Sequence, residues 1–253
     1  MAVSPRLTVA EHTWDALRSG AVDFLSQLDA HLGVRVPGLL PPEECAALVR
    51  RVYAGRPFWN ADFEGVQFSL GRVWYTHLEQ EREEEYFAHA RTSDALVERM
   101  LPGLQARLRD VISTLVRAPA VPREGWCGPG VHIFPAGQWL SQHGGDVHFD
   151  DEGLSEEQCA RRARAITLVL MLQPPESGGA LRLWDFTYAG SNAVPESATE
   201  APHVDVHYGV GELLILDSYR LHQIQPFTGT RDRISATAHA VLEEQGPRWE
   251  VWF

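Results

Sequence analysis

The chain has 253 residues, with 34 acidic against 22 basic ones for a formal charge of −12, and 44% of it is apolar. That excess of negative charge, with no concentrated basic face, excludes a binder of phosphate backbones or of anionic lipid surfaces. The length suits one large domain with a substantial core. The longest apolar stretch, Ala165 to Leu172 broken by Thr167, falls far short of the roughly 20 residues that span a bilayer.

Met1 to Ala10 holds no basic segment followed by an apolar one, so no secretory signal is read and a cytoplasmic location is expected. Cys45, Cys127 and Cys159 are odd in number and widely spaced, which predicts reduced thiols. Residues 10 to 33 carry apolar side chains at helical spacing and predict a helical lead-in that stops at Gly33. Val34 to Leu40 reads as a short strand, and Pro41-Pro42-Glu43-Glu44 opens a helix running through Tyr53. Val66 to His77 is rich in β-branched and aromatic residues and predicts a strand. Glu79 to Val116 predicts two consecutive helices split at Pro102-Gly103.

From Val131 onward, short apolar runs alternate with glycine, proline and polar turns. The runs are 131–140, 146–149, 165–173, 180–185, 203–207, 212–217, 223–226 and 233–242, with one helical insertion over 155–164. Eight strands predict a mainly β chain with α, built as a jelly roll (a double-stranded β-helix). Residues 1–130 form its helical lead-in and outer layer, 131–242 its core and 243–253 a tail, all within one domain over 1–253.

The residues that carry chemistry are His148-Phe149-Asp150, then His222, then Arg233 and Ser235. Side chains alternate across a strand, so His148 and Asp150 project from one face and can grip a single metal ion, with a third ligand from a distant strand. Two imidazoles and one carboxylate on one face of an octahedron leave three open positions, the arrangement of non-heme Fe(II) oxygenases.

These motifs, in this order, resemble the Fe(II)/2-oxoglutarate-dependent dioxygenases, particularly the prolyl-hydroxylase-like branch, over about residues 131 to 242. Phe134-Pro-Ala-Gly137-Gln-Trp-Leu140 is similar to the strand leading to the metal motif. Leu170 to Leu181 resembles the central strand and its double-glycine turn, and Gly211 to Asp217 followed by His222-Gln-Ile-Gln-Pro226 the distal histidine segment. The resemblance implies that His148, Asp150 and His222 bind Fe(II), that Arg233 and Ser235 bind 2-oxoglutarate, and that O2 is the oxidant. An arginine fork suits a carboxylate. Arg231 competes with Arg233 for that role, since positions 231, 233 and 235 share a strand face.

The implied activity is hydroxylation of an unactivated C–H bond of a small molecule, an amino acid or related metabolite, with release of succinate and CO2. A radical halogenase or desaturase on the same scaffold, or a silent metal-binding module, are the alternatives. His143-Gly144-Gly145, six residues after Gly137, resembles the halogenase pattern that lacks the carboxylate; otherwise His143 stands at the mouth of the site. A weaker resemblance to enzymes acting on free amino acids makes Arg72 a carboxylate anchor and Asp146 an ammonium anchor, with Trp74 in the pocket. His203-x-Asp205-x-His207 offers a second set of metal-type side chains, Asp217 and Tyr219 could orient a ligand, and Trp249 and Trp252 either line a pocket or pack the helical layer.

Overall fold

A computed structural model describes residues 7–191, 193–244 and 246–253. It opens with β1 (Val9–Glu11), α1 (Trp14–Ser19), α2 (Phe24–Ala30) and β2 (Gly33–Val36). The predicted helical lead-in is therefore two short helices joined by a turn. Gly20 takes φ 79° at the end of the first, and the Asp23 carboxylate accepts the Ser26 N–H to start the second, a turn followed by an N-cap. Next come α3 (Pro42–Ala54), β3 (Asn60–Asp62), β4 (Gln67–Leu70), α4 (Trp74–Glu79), α5 (Glu83–Met100) and α6 (Leu104–Val116). The predicted strand over Val66 to His77 is thus a strand only in its first half. Gly71, at φ 101°, leaves the ladder, and residues 74–79 coil instead.

The second half holds β5 (Ala120–Pro122), β6 (Gly130–Phe134), α7 (Trp139–His143), α8 (Glu156–Ala160), β7 (Ala165–Gln173), β8 (Ser177–Gly178) and β9 (Leu181–Thr187). It ends with α9 (Glu196–Thr199), β10 (His203–Val206), β11 (Leu213–Asp217), β12 (Arg220–Ile224), β13 (Phe227–Thr228), β14 (Arg233–Leu242) and β15 (Trp249–Trp252). The run predicted as a strand through Leu140 stops at Phe134, because Pro135 has no N–H to give a ladder. The predicted tail contains β15, which pairs with β14 and with β5.

The largest sheet runs β1-β2-β11-β7-β14-β6-β4-β3, with β15 beside β14 and β5 beside β15; a smaller sheet runs β10-β9-β12, and β8 pairs with β13. Period-two alternation sorts the larger sheet's residues. On one face, Ile234, Ala236, Ala238 and Ala240 of β14 join Ile166, Leu168 and Leu170 of β7 in a cluster with Val49, Leu108 and Ile112 of α3 and α6. On the other, Val169 and Met171 meet Leu181, Leu183 and Val206 of the smaller sheet. The central strands are buried on both faces, which is why β7 reads as one apolar run. The three cysteines are free thiols. Among the described residues no helix is long and apolar enough to cross a membrane.

Gly211 allows the turn before β11. Its φ is +75° and a Cβ there would be driven into the Leu40 carbonyl oxygen, while its own carbonyl accepts the Leu40 N–H at 3.1 Å. Gly211→Ala is expected to cost about 3 kcal/mol from the left-handed backbone and the clash together. An unchanged urea midpoint would refute that.

Candidate active site

Three backbone hydrogen bonds bring the predicted metal ligands together. Residues 146–149, predicted as a strand, make only one bridge: the His148 N–H donates to the His222 carbonyl at 3.1 Å and the His222 N–H returns the bond at 3.0 Å. The Asp150 N–H donates to Ser218 at 2.9 Å. One nitrogen or oxygen from each of His148, Asp150 and His222 lies within 4.8 Å of the others. The Nε2 of His148 is 3.6 Å from Asp150 Oδ1, and that of His222 is 3.3 Å from Asp150 Oδ2.

Both rings are fixed in the tautomer a metal needs. His148 Nδ1 meets the Asp146 carbonyl at 2.8 Å and His222 Nδ1 the Arg220 carbonyl at 2.9 Å. A carbonyl only accepts, so each Nδ1 carries the hydrogen and each Nε2 presents a lone pair to the centre. Two neutral nitrogens and one carboxylate fit a divalent transition metal.

Asp150 is held by groups that sequence reasoning overlooked. Thr167 Oγ1 donates to Asp150 Oδ2 at 2.6 Å and lies 3.0 Å from Ser218 Oγ and 3.1 Å from His239 Nδ1. Burial works to raise the Asp150 carboxyl, but His222, His239, His148 and the Thr167 hydroxyl together hold it down at about 2. Thr167→Val keeps the shape and removes the hydroxyl, so Mn(II) affinity is expected to drop roughly 10- to 100-fold. Titration calorimetry showing wild-type affinity would exclude this positioning role.

Burial depresses the His222 imidazole to about 4 despite the Asp150 carboxylate. It depresses His132 to about 3, with His239 and Arg233 adding to the effect. Burial also opposes charge on His148, but Asp150 and Glu152 outweigh it and raise that residue. An unfolded histidine takes up its proton near pH 6.5. Between there and pH 4 the unfolded chain therefore binds more protons at positions 132 and 222 than the folded one, and these groups lose stability as pH falls. His148 has the opposite sign and offsets part of the loss. By linkage the cost at pH 5 is roughly 2 kcal/mol for each of the two depressed groups. In the same window the raised Glu152 and Asp62 carboxyls, at about 7 and about 6, also have the opposite sign, so the His132 contribution shows only against a variant. Between pH 7 and pH 5 the metal-free native chain should lose roughly 2 kcal/mol of stability relative to His132→Gln, measured by urea denaturation. An equal drop in the variant would rule out His132 as a source.

The triad stands on the wall of a cavity of about 500 Å³ between the two sheets. Arg233, Ser235, Thr237 and His239, alternate residues of β14, all line it. Arg233 is only 1% exposed, yet its guanidinium meets just Tyr208 Oη at 3.1 Å and Ser235 Oγ at 3.4 Å, with Nε unpaired. No carboxylate among the described residues pairs with it. Arg231 is exposed and reaches only the Pro175 carbonyl, at 3.5 Å. Of the two competing arginines, Arg233 alone faces the cavity.

Other expected site residues lie elsewhere. Arg72 is held by Glu85 at 2.8 Å and His77 at 2.9 Å and does not line the cavity. Its turn away follows from the break at Gly71. Trp74 donates to the Glu152 carbonyl at 2.7 Å and packs on Tyr86 and Trp126, also outside the cavity. His143 is exposed, stacked on Trp139 with centroids 4.7 Å apart. Asp146 does line the cavity. Asp205 forms a two-point ion pair with Arg182 and belongs to no metal-type cluster among the described residues. Asp217 caps the Tyr219 N–H, and Trp252 stacks on His239, with centroids 5.8 Å apart. Tyr75, Glu79, Glu152 and Trp139 also line the cavity, and only tertiary packing brings them there.

No protein-family model matches the sequence, and no curated protein does. Solved structures are similar in fold. The α-ketoglutarate-dependent non-heme epimerase SnoN from nogalamycin biosynthesis has TM-score 0.50 at 16% identity, over 86% of this chain and 84% of that one. SnoN in complex with Fe3+, α-ketoglutarate and nogalamycin RO gives 0.53 at 15%, over 85% and 82%. The α-ketoglutarate-dependent carbocyclase SnoK from the same biosynthesis gives 0.54 at 14%, over 83% and 79%. At such identities the likeness is one of fold.

Proposed function

We propose that this chain is an Fe(II)/2-oxoglutarate-dependent oxygenase of the prolyl-hydroxylase-like kind, a single-domain double-stranded β-helix with an N-terminal helical layer, which hydroxylates an unactivated C–H bond of a small molecule. The observation that carries the reading is the pairing, in one cavity, of a two-histidine, one-carboxylate donor set with a buried arginine that has no anion. SnoN and SnoK, enzymes described by their α-ketoglutarate dependence, share the fold.

His148, Asp150 and His222 would hold Fe(II), and Arg233 with Ser235 the distal carboxylate of 2-oxoglutarate. When bound, these cofactors supply O2 activation and the oxidising power for C–H cleavage, with succinate and CO2 as co-products. The chain supplies the rest. Tyr208 and Ser235 position the guanidinium fork, Thr167 fixes the rotation of Asp150, and Val169, Leu181 and Ile224 line the chamber with apolar surface that excludes water. Asp150 in the donor set argues against halogenation, which resembles the pattern lacking that carboxylate. The amino-acid version of the reading loses its carboxylate anchor, because Arg72 is engaged by Glu85.

The test is an anaerobic titration of metal-free protein with Fe(II) and then 2-oxoglutarate, monitoring the weak visible charge-transfer band of the chelated keto acid. A folded, metal-loaded protein that develops no band would sink the proposal in favour of a silent binding module. Product masses showing chlorine, or no added oxygen, would replace hydroxylation by another outcome.

A further inference from the structure

Two aromatic side chains stand at the opening of the cavity. Trp139 of α7 is 52% exposed, the most exposed of the large apolar side chains among the described residues, and it also lines the cavity wall. Phe63, half-buried in the turn between β3 and β4, lines the same wall. Each is braced by a second ring. His143 stacks on Trp139 with centroids 4.7 Å apart and planes 23° from parallel, and its Nδ1–H donates to the Trp139 carbonyl at 2.8 Å. Phe63 meets Tyr75 at 6.3 Å between centroids, and the Tyr75 hydroxyl accepts the Gln67 side-chain N–H at 2.5 Å. A braced ring has little rotamer freedom left to lose when a ligand arrives.

The backbone that presents Phe63 is itself costly. Phe63, Glu64 and Gly65 take φ of 50°, 56° and 91°, left-handed in succession, and only the last is a glycine. A side chain in that region crowds the following carbonyl, and such strain persists where the surrounding structure over-determines it, most often at ligand sites. Its consequence here is that Phe63 and Val66, from the two sides of the turn, both line the cavity. Leu140, Leu181 and Ile224 add further apolar wall. At about 500 Å³ the cavity has the size of pockets that enclose a whole organic ligand, more than one small keto acid at Arg233 fills.

We propose that this opening is a subsite for a flat aromatic ring system, so that the substrate is a small molecule whose aromatic body packs on Trp139 and Phe63, and that these two residues determine its selection. That the occupant is a substrate rests on the oxygenase reading above; that it is aromatic does not. Aromatic pairs gain from offset-stacked and edge-to-face arrangements beyond the area they bury, a gain that a saturated ring cannot match. Holding the body by its rings at the opening also fixes which carbon faces the triad.

The experiment compares 2-naphthol with trans-2-decalol, alcohols on the same carbon skeleton, one flat and aromatic and the other saturated and puckered. Both are neutral, because Glu79, Asp146 and Glu152 also line the cavity and would add charge effects of their own. The saturated alcohol has the larger apolar surface, so hydrophobic transfer alone would favour it. Titration calorimetry uses the protein loaded anaerobically with Fe(II) and 2-oxoglutarate, and also the metal-free protein. Naphthol is expected to bind about tenfold tighter than decalol, the ratio that contacts with two rings supply. Trp139→Ala should erase the preference, Trp139→Phe should retain most of it, and Phe63→Leu should cut it about threefold while leaving the affinity for decalol unchanged. Phe58→Ala, at an exposed ring that does not line the cavity, should alter neither affinity. Equal affinities, tighter binding of decalol, no measurable binding of naphthol, or a preference that survives Trp139→Ala would overturn the proposal. So would self-association of the native chain in sedimentation velocity that Trp139→Ala removes, which would make Trp139 a contact between copies. A charge-transfer band without aromatic preference defeats this inference alone. Aromatic preference in a protein without the band defeats the oxygenase reading alone.

Discussion

Alanine in place of His222 is expected to abolish the charge-transfer band with Fe(II) and 2-oxoglutarate and to weaken Mn(II) binding by more than the roughly 100-fold typical of changes outside the ligand set. His222 is 4% exposed and supplies one of only three donors. Its removal leaves one imidazole and one carboxylate, too few to hold a labile divalent ion against water. The fold should survive, because the bridge between residues 148 and 222 is made by backbone groups that alanine retains. His148→Ala should behave in the same way. His143→Ala should leave the band intact, since that ring does not itself line the cavity and only stacks on Trp139, which does. A band that persists in His222→Ala and disappears in His143→Ala would transfer the ligand role to the His143-Gly144-Gly145 segment.

How far the sequence discloses this site depends on whether a residue's place is set by strand parity or by a turn. Arg233 and Ser235 lie on a long strand whose other face is Ile234, Ala236, Ala238 and Ala240, so the alternation alone turns them inward. The same parity extends to Thr237 and His239, which also line the cavity. Thr167 leaves a trace as well: it is the single polar residue in an otherwise apolar run, and a hydroxyl at the centre of a doubly buried strand needs a partner. That partner is Asp150.

Parity gives no help with Arg72 and Glu79. Both lie beyond Gly71, where a left-handed backbone ends the strand and α4 begins, and one change of period sends Arg72 outward to Glu85 and Glu79 to the cavity mouth. Tyr208 contacts Arg233 from a segment 25 residues away; no local pattern encodes that distance. The segment 146–150 has the composition of a strand but owes its placement to bonds with Ser218 and His222. The metal motif is thus readable as residue types, while the loop that aims it is a product of tertiary packing.

Arg233→Met is expected to make the metal-free protein more stable while abolishing 2-oxoglutarate binding. A guanidinium that is 1% exposed has lost its hydration, and here it recovers only two neutral hydroxyl partners and leaves Nε unpaired. Uncompensated burial of a charge costs several kcal/mol, and replacing buried ionic groups by apolar ones of similar volume is often stabilising by about 1–4 kcal/mol. Methionine fills the space between Phe134 and Tyr208, whose rings now flank the guanidinium at 5.4 and 5.6 Å, without a charge to satisfy. The binding loss follows from the same fact: among the described residues that line the cavity, no other arginine would meet a dicarboxylate entering this end. The melting temperature of the metal-free variant should therefore rise, its charge-transfer band should be absent at any practical 2-oxoglutarate concentration, and Arg231→Gln should change neither. A variant that melts lower and still binds 2-oxoglutarate would mean that Arg233 is a structural residue and that its missing anion is not a ligand. The opposite movement of stability and binding is what separates a charge retained for recognition from one retained for the fold.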